Sequence, residues 1–198
     1  ANIVTTRTLL NPATGFAGVV LSTGSIKWSW YDNSASESGY QIKASSDNSN
    51  YGSGLLAGVT YYTHSDLVSN MLYDGYVVAL GQAGDISAES NTTGYFTLAQ
   101  QPAGLTIDNV YSSSVTLHWD SNGTRYELVK SSASDFTENV TTMTLTASPT
   151  TYTGLDGYTN YWFRVRAFNG NDVVTEFSAD VTTRTLPSNV PNEPPSFV

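Results

Sequence analysis

Cysteine is absent from the 198 residues, which excludes disulfide frameworks, thiolate metal sites and thiol nucleophiles. Lysine is almost as scarce, with Lys27, Lys43 and Lys130 set in a chain of net charge −9. That balance argues against nucleic acid or an anionic membrane as a partner and favours solubility. No run of 18 apolar residues occurs, so no segment reads as inserting into a membrane. Good helix formers are thin, whereas threonine, serine and tyrosine are plentiful, a mixture that suits strands and turns. The chain opens Ala1-Asn2-Ile3 with no basic, apolar leader, so any export signal is expected upstream or already removed.

What the sequence does have is a repeat. Leu155-Asp-Gly-Tyr-Thr-Asn-Tyr161-Trp-Phe-Arg-Val-Arg-Ala167 echoes Leu67-Val-Ser-Asn-Met-Leu-Tyr73-Asp-Gly-Tyr-Val-Val-Ala79 at a separation of 88 residues. Both copies read as a turn followed by a strand with alternate residues facing a core. In the second copy the inward set is Tyr161, Phe163, Val165 and Ala167, and in the first it is Tyr73, Gly75, Val77 and Ala79. A buried tyrosine opening such a strand needs a hydrogen-bond partner for its hydroxyl, and the preceding turn can supply one from the backbone.

Upstream, the copies align at an offset of 89 residues: Gly15-Phe16 with Gly104-Leu105, and Ser25–Trp30 with Ser114–Trp119. Ile26, Trp28 and Trp30 alternate inward, as do Val115, Leu117 and Trp119, which makes Trp30 and Trp119 core anchors. A third strand opens at Tyr40 and Tyr126. Final strands are expected at roughly 86–98 and 175–186. Seven short strands per unit without helical periodicity predict an all-β fold of two tandem antiparallel sandwiches. Val4 to Leu9 and Val181 to Leu186 share six identical residues 177 apart, two repeat lengths. The expected division is therefore 1–10 as the last strand of a preceding unit, domains at 11–98 and 99–187, and a Pro-rich linker or tail at 188–198.

In order and in duplicate, these residues resemble fibronectin type III domains. The pattern is Trp30 or Trp119 closing the second strand and Tyr40 or Tyr126 opening the third. Leu67/Tyr73/Val77/Ala79 and Leu155/Tyr161/Val165/Ala167 then mark the sixth, with a turn glycine at Gly84 or Gly170. The resemblance covers essentially the whole chain and implies immunoglobulin-like seven-stranded sandwiches of the kind found in bacterial exported and cell-surface proteins. It implies an extracellular spacer or display module whose partners are neighbouring domains of its own chain. A module binding a cell-surface protein or polysaccharide, or an accessory domain of a polysaccharide hydrolase, are the other roles it suggests. Gly75 departs from the pattern where Phe163 stands in the second unit. Trp28, larger than its counterpart Leu117, is expected to fill that space.

Candidate chemistry is sparse. His64 and His118 fall at non-equivalent places, His118 on the outward side of its strand, and no nucleophile-elbow motif occurs. The expectation is a non-enzyme without cofactor or metal. Asp32/Glu37 and Asp47/Asn48 are candidate calcium ligands on first-unit loops, but they lack calcium-loop spacing. Ala83-Gly84-Asp85 lacks the arginine of an Arg-Gly-Asp attachment loop. The best candidate binding face is the outward side of the sixth strand, with Tyr76 in the first unit and Trp162 and Phe168 in the second. Opposing this, Glu127 is placed to pair across to the arginines Arg164 and Arg166.

Overall fold

The computed structural model describes residues 10–82 and 84–188, and the chain divides into two compact units, Ala1–Leu98 and Ala99–Val198. Apart from Leu10, the expected remnant strand at 1–10 lies outside the described residues, as does the tail beyond Ser188. The first unit contains β1 (Thr14–Ser22), β2 (Ser25–Tyr31), β3 (Gly39–Ala44), β4 (Asn50–Leu56), β5 (Tyr61–His64), β6 (Leu72–Leu80) and β7 (Thr93–Phe96). The second contains β8 (Ala103–Val110), β9 (Ser114–Asp120), β10 (Arg125–Ser131), β11 (Thr141–Leu145), β12 (Thr150–Thr153), β13 (Asn160–Phe168) and β14 (Val181–Arg184). Each unit pairs a three-stranded sheet, β1-β2-β5 or β8-β9-β12, with a four-stranded one, β4-β3-β6-β7 or β11-β10-β13-β14. All the pairings are antiparallel, so the expected pair of seven-stranded sandwiches is the observed architecture.

Strand periodicity explains the cores. Ile26, Trp28 and Trp30 are buried on β2 while Lys27 and Tyr31 are exposed, and on β9 Val115, Leu117 and Trp119 repeat the arrangement. Trp30 packs on Tyr40 with ring centroids 5.4 Å apart, and Trp119 packs on Tyr126 at 5.3 Å. Both first strands carry a bulge, at Thr14/Ala17 and Ala103/Thr106. Gly15 and Gly104 take φ of +65° and +62° there, a backbone conformation that favours glycine, and each turns the next residue, Phe16 or Leu105, into its core.

Gly75 is explained by its neighbours rather than by Trp28. A Cβ at that position would lie 2.4 Å from the Lys43 carbonyl oxygen and 3.3 Å from Tyr51 Cε2. Tyr51 therefore occupies the space that Phe163 fills in the second unit, and Trp28 stacks on Tyr51 with centroids 6.4 Å apart. Tyr51 comes from β4, whose serine- and asparagine-rich surroundings carry little periodic signal. His64 joins this cluster, 4.6 Å from the Tyr51 ring and 5.7 Å from that of Tyr73. Burial holds its imidazole below its ordinary pKa.

The expected final strands are shorter than the sequence suggests, because the chain leaves the ladder and is clipped to it by hydroxyls. The Ser87 and Ser90 N–H groups donate to the Ala79 and Val77 carbonyls, and their Oγ atoms accept the N–H of the same two residues at 2.9 and 3.0 Å. Thr175 and Ser178 do the same to Ala167 and Val165 at 3.0 and 3.1 Å, each 88 residues on. Regular pairing resumes only at β7 and β14.

The tyrosine that opens β6 or β13 pins the preceding turn as expected: Tyr73 Oη accepts from the Val68 N–H at 2.9 Å, and Tyr161 Oη from the Asp156 N–H at 3.0 Å. Thr97 and Thr185 close the same turn. Thr97 Oγ1 accepts from the Met71 N–H and donates to the Val68 carbonyl, and Thr185 Oγ1 accepts from the Thr159 N–H and donates to the Asp156 carbonyl.

Tyr161→Phe leaves the Asp156 N–H without its acceptor, and should cost about 1–3 kcal/mol as read from the urea midpoint, at unchanged slope. His64 adds a pH dependence. Its folded pKa lies below the unfolded value near 6.5, so the unfolded state binds the proton first. Its contribution is complete above that value and is lost as the pH falls below it. The fall in midpoint of the first unit between neutral and mildly acid pH should therefore be smaller in His64→Phe than in the parent.

Candidate functional site

The outward face of β13 is a ladder of stacked cations and rings. The Arg164 guanidinium lies 4.0 Å from the Phe136 ring centroid and 4.2 Å from that of Phe177, and Arg166 lies 4.7 Å from Phe177 and 5.8 Å from Phe168. Arg125 covers Phe168 at 3.4 Å. Carboxylates secure two of the three cations: Arg166 Nη2 donates to both Glu127 oxygens at 2.9 and 3.1 Å, and Arg125 Nε to Asp172 Oδ1 at 3.1 Å. Glu127 stands directly opposite Arg166 in the β10–β13 register, which is the pairing the sequence suggests.

Phe168 is consequently buried, and Trp162, between Ser131 and Thr182 on its neighbouring strands, is half-buried. Phe136 takes φ of +55°, unusual for a bulky residue, while its ring lies on Arg164. Phe136 and Phe177 come from segments without strand alternation, so no periodic signal marks them. Strand alternation marks Trp162, Arg164, Arg166 and Phe168, but not the rings laid across them.

In the first unit the corresponding face is closed. Tyr76 is 6% exposed and Val78 3%, and Tyr76 Oη donates to Asn48 Oδ1 at 2.6 Å. Alternation places Tyr76 outward, but outward is not exposed here. The structure thus places Tyr76 and Phe168 in buried positions and leaves Trp162 the most open of the three. Trp30, Trp119, Tyr73 and Tyr161 all belong to or pack against the cores.

The exposed aromatic surface lies instead on the three-stranded sheet of the first unit. Tyr31 is 70% exposed and Tyr61 56%, and both line an open groove of about 640 Å³. Gly15 contributes bare backbone and Ala17 and Ser29 small side chains, while Lys27, Asp32 and Thr60 supply polar groups. Tyr31 lies so close over Gly15 that a Cβ there would come within 2.5 Å of its ring. Tyr61 pairs with Ser29, and the Lys27 ammonium sits 4.6 Å from its ring centroid. The alternation that buries Trp30 is the signal that puts Tyr31 outside.

The acidic loop residues are engaged in local bonds. Asp32 Oδ1 accepts from the Ser34 N–H and from Tyr40 Oη, and burial and then this carboxylate push the Tyr40 hydroxyl well above its ordinary pKa. Asp47 accepts from the Ser49 N–H, which holds its carboxyl below the usual value. Among the described residues no three His, Asp or Glu side chains are grouped as metal ligands. His118 is exposed, with Nδ1 2.6 Å from Asp108 Oδ1 and 3.0 Å from Thr106 Oγ1. Thr106 Oγ1 also lies 3.3 Å from Nε2, so the hydroxyl reaches both ring nitrogens while the carboxylate meets Nδ1.

Residues 100–184 match the fibronectin type III domain family, the class that the strand order and paired cores define. The first unit lies outside that match but repeats the same sheets and clips, so both units share one fold. The chain is 35% identical over 144 residues to Endoglucanase B of Cellulomonas fimi, a match covering 63% of this chain and 13% of that protein. The two-domain fibronectin type III segment of chicken tenascin has the same fold, with a TM-score of 0.57 at 15% identity, covering 88% of this chain and all of that one.

The ladder on β13 should carry stability rather than binding. Arg164→Ala removes two ring contacts and should cost about 1–2 kcal/mol in urea unfolding. Arg164→Lys keeps the charge without the planar stacking and should recover less than half of that.

Proposed function

We propose that the two domains form a non-catalytic spacer in a longer extracellular protein, holding a functional domain away from its anchor. The observation that carries this reading is the proportion of the match to Endoglucanase B: most of this chain corresponds to about an eighth of that protein. A segment of that size is an accessory part of a larger assembly, and an accessory place beside a polysaccharide-degrading domain is the specific setting it favours. The physical properties suit the role. Each domain has its own core, and neither depends on a disulfide or on a cluster of metal ligands among the described residues.

A reach assay on a non-glycan substrate tests the spacer without involving sugars. The chain is placed between a surface anchor and a reporter protease acting on a surface-tethered peptide. Cleavage should exceed that of a direct fusion, and an unrelated two-domain segment of similar length should substitute for it. Equal cleavage with and without the segment would sink the spacer reading. Turnover of soluble or insoluble polysaccharides by the 198-residue chain should stay at the blank level.

A further inference from the structure

We infer that the outer face of the β1-β2-β5 sheet is a glycan-binding surface for a neutral, linear, β-linked pyranose chain, with Tyr31 and Tyr61 as its platforms. This goes beyond the spacer reading and does not depend on it.

Three observations carry the inference. The first is preorganisation: the Tyr31 ring is set against Gly15, whose missing side chain gives it room, yet 70% of the residue remains exposed. Tyr61 is likewise exposed, and its pairing with Ser29 sets it on the same face. A rigid ring loses little conformational freedom when a flat ligand stacks on it. The small side chains of Ala17 and Ser29 let such a ligand approach the sheet closely.

The second observation is charge. The chain as a whole carries −9, but this groove is lined by one cation, Lys27, and one anion, Asp32. The local balance favours a neutral ligand over a polyanion or a basic peptide. Lys27, Ser29 and Thr60 offer hydrogen-bonding groups among the rings, the combination that hydroxyl-bearing sugars with apolar C–H faces require. A β-linked chain with equatorial substituents presents such faces along a straight axis, matching a sheet surface.

The third observation is the comparison within the chain. Tyr62 pairs with Trp28 as Thr150 pairs with Leu117, so Pro149 stands where Tyr61 does, and Asp120 stands where Tyr31 does. The same face of the second domain has lost both rings, and Thr106, Asp108 and His118 satisfy one another there. The tyrosine pair is therefore not a requirement of the fold.

The test titrates the 198-residue chain with a soluble β-1,4-linked glucan hexasaccharide, following backbone amide shifts. Shifts confined to β1, β2 and β5 are expected. Tyr31→Ala and Tyr61→Ala should each weaken binding by about tenfold or more. Tyr31→Phe keeps the platform and should retain binding, which separates loss of stacking from loss of folding. Tyr158→Ala, at an exposed tyrosine of the second domain, should change nothing. Polygalacturonate of similar length should bind more weakly than the neutral chain.

No binding by the parent chain, shifts centred elsewhere, or equal affinity in the Tyr31/Tyr61 double variant would overturn the inference. So would a concentration-dependent dimer whose own shifts map to this face, since a second copy would then be the occupant. None of these outcomes bears on the reach assay.

Discussion

Every backbone N–H buried by the sandwich must find an acceptor, and this protein meets that demand with hydroxyls wherever its chain leaves the regular ladder. Tyr73 and Tyr161 hold the turn before the central strand, Thr97 and Thr185 close the same turn from below, and Ser87/Ser90 and Thr175/Ser178 clip the chain beyond the strand. These contacts let each unit keep a continuous core although its last strand is interrupted. The abundance of serine and threonine, which reads as loop composition, is to this extent a structural inventory.

This division between regular and irregular segments explains what the sequence shows in advance. Alternation in β2 and β9 marks Trp30 and Trp119 because two facing sheets impose a period of two on anything between them. The tyrosines opening β6 and β13 are legible because the repeat fixes both the turn and the strand. The same rule misleads at Tyr76, where the outward side is covered, and at Phe168, where Arg125 and Arg166 close over the ring. Alternation reports which side of a sheet a residue faces. It does not report what later segments lay across that side, and Phe136 and Phe177 arrive from stretches with no period at all.

The two domains solve the same packing problem with different pieces. In the second, Phe163 projects from the central strand and meets Tyr152 from the opposite sheet, with centroids 5.7 Å apart. In the first, the central strand gives up its side chain at Gly75, and Tyr51 from β4 enters the space and stacks with Trp28. The exchange brings His64 into a cluster with Tyr51 and Tyr73, at the register position that Tyr152 holds in the second domain. Surface and core diverge together: one domain carries exposed tyrosines on its three-stranded sheet, while the other carries a cation ladder on its four-stranded sheet.

The hydroxyl clips also determine what the surroundings can do to the fold. A neutral O–H bonded to a neutral backbone group has no net charge for dissolved ions to screen. The joints that fasten the last strand to its sheet, in both domains, are made of such pairs. A rise in ionic strength therefore does not screen these fastenings, and screens instead the charged residues of the surface. The domains combine a strongly acidic exterior, responsive to its medium, with seams that are indifferent to it.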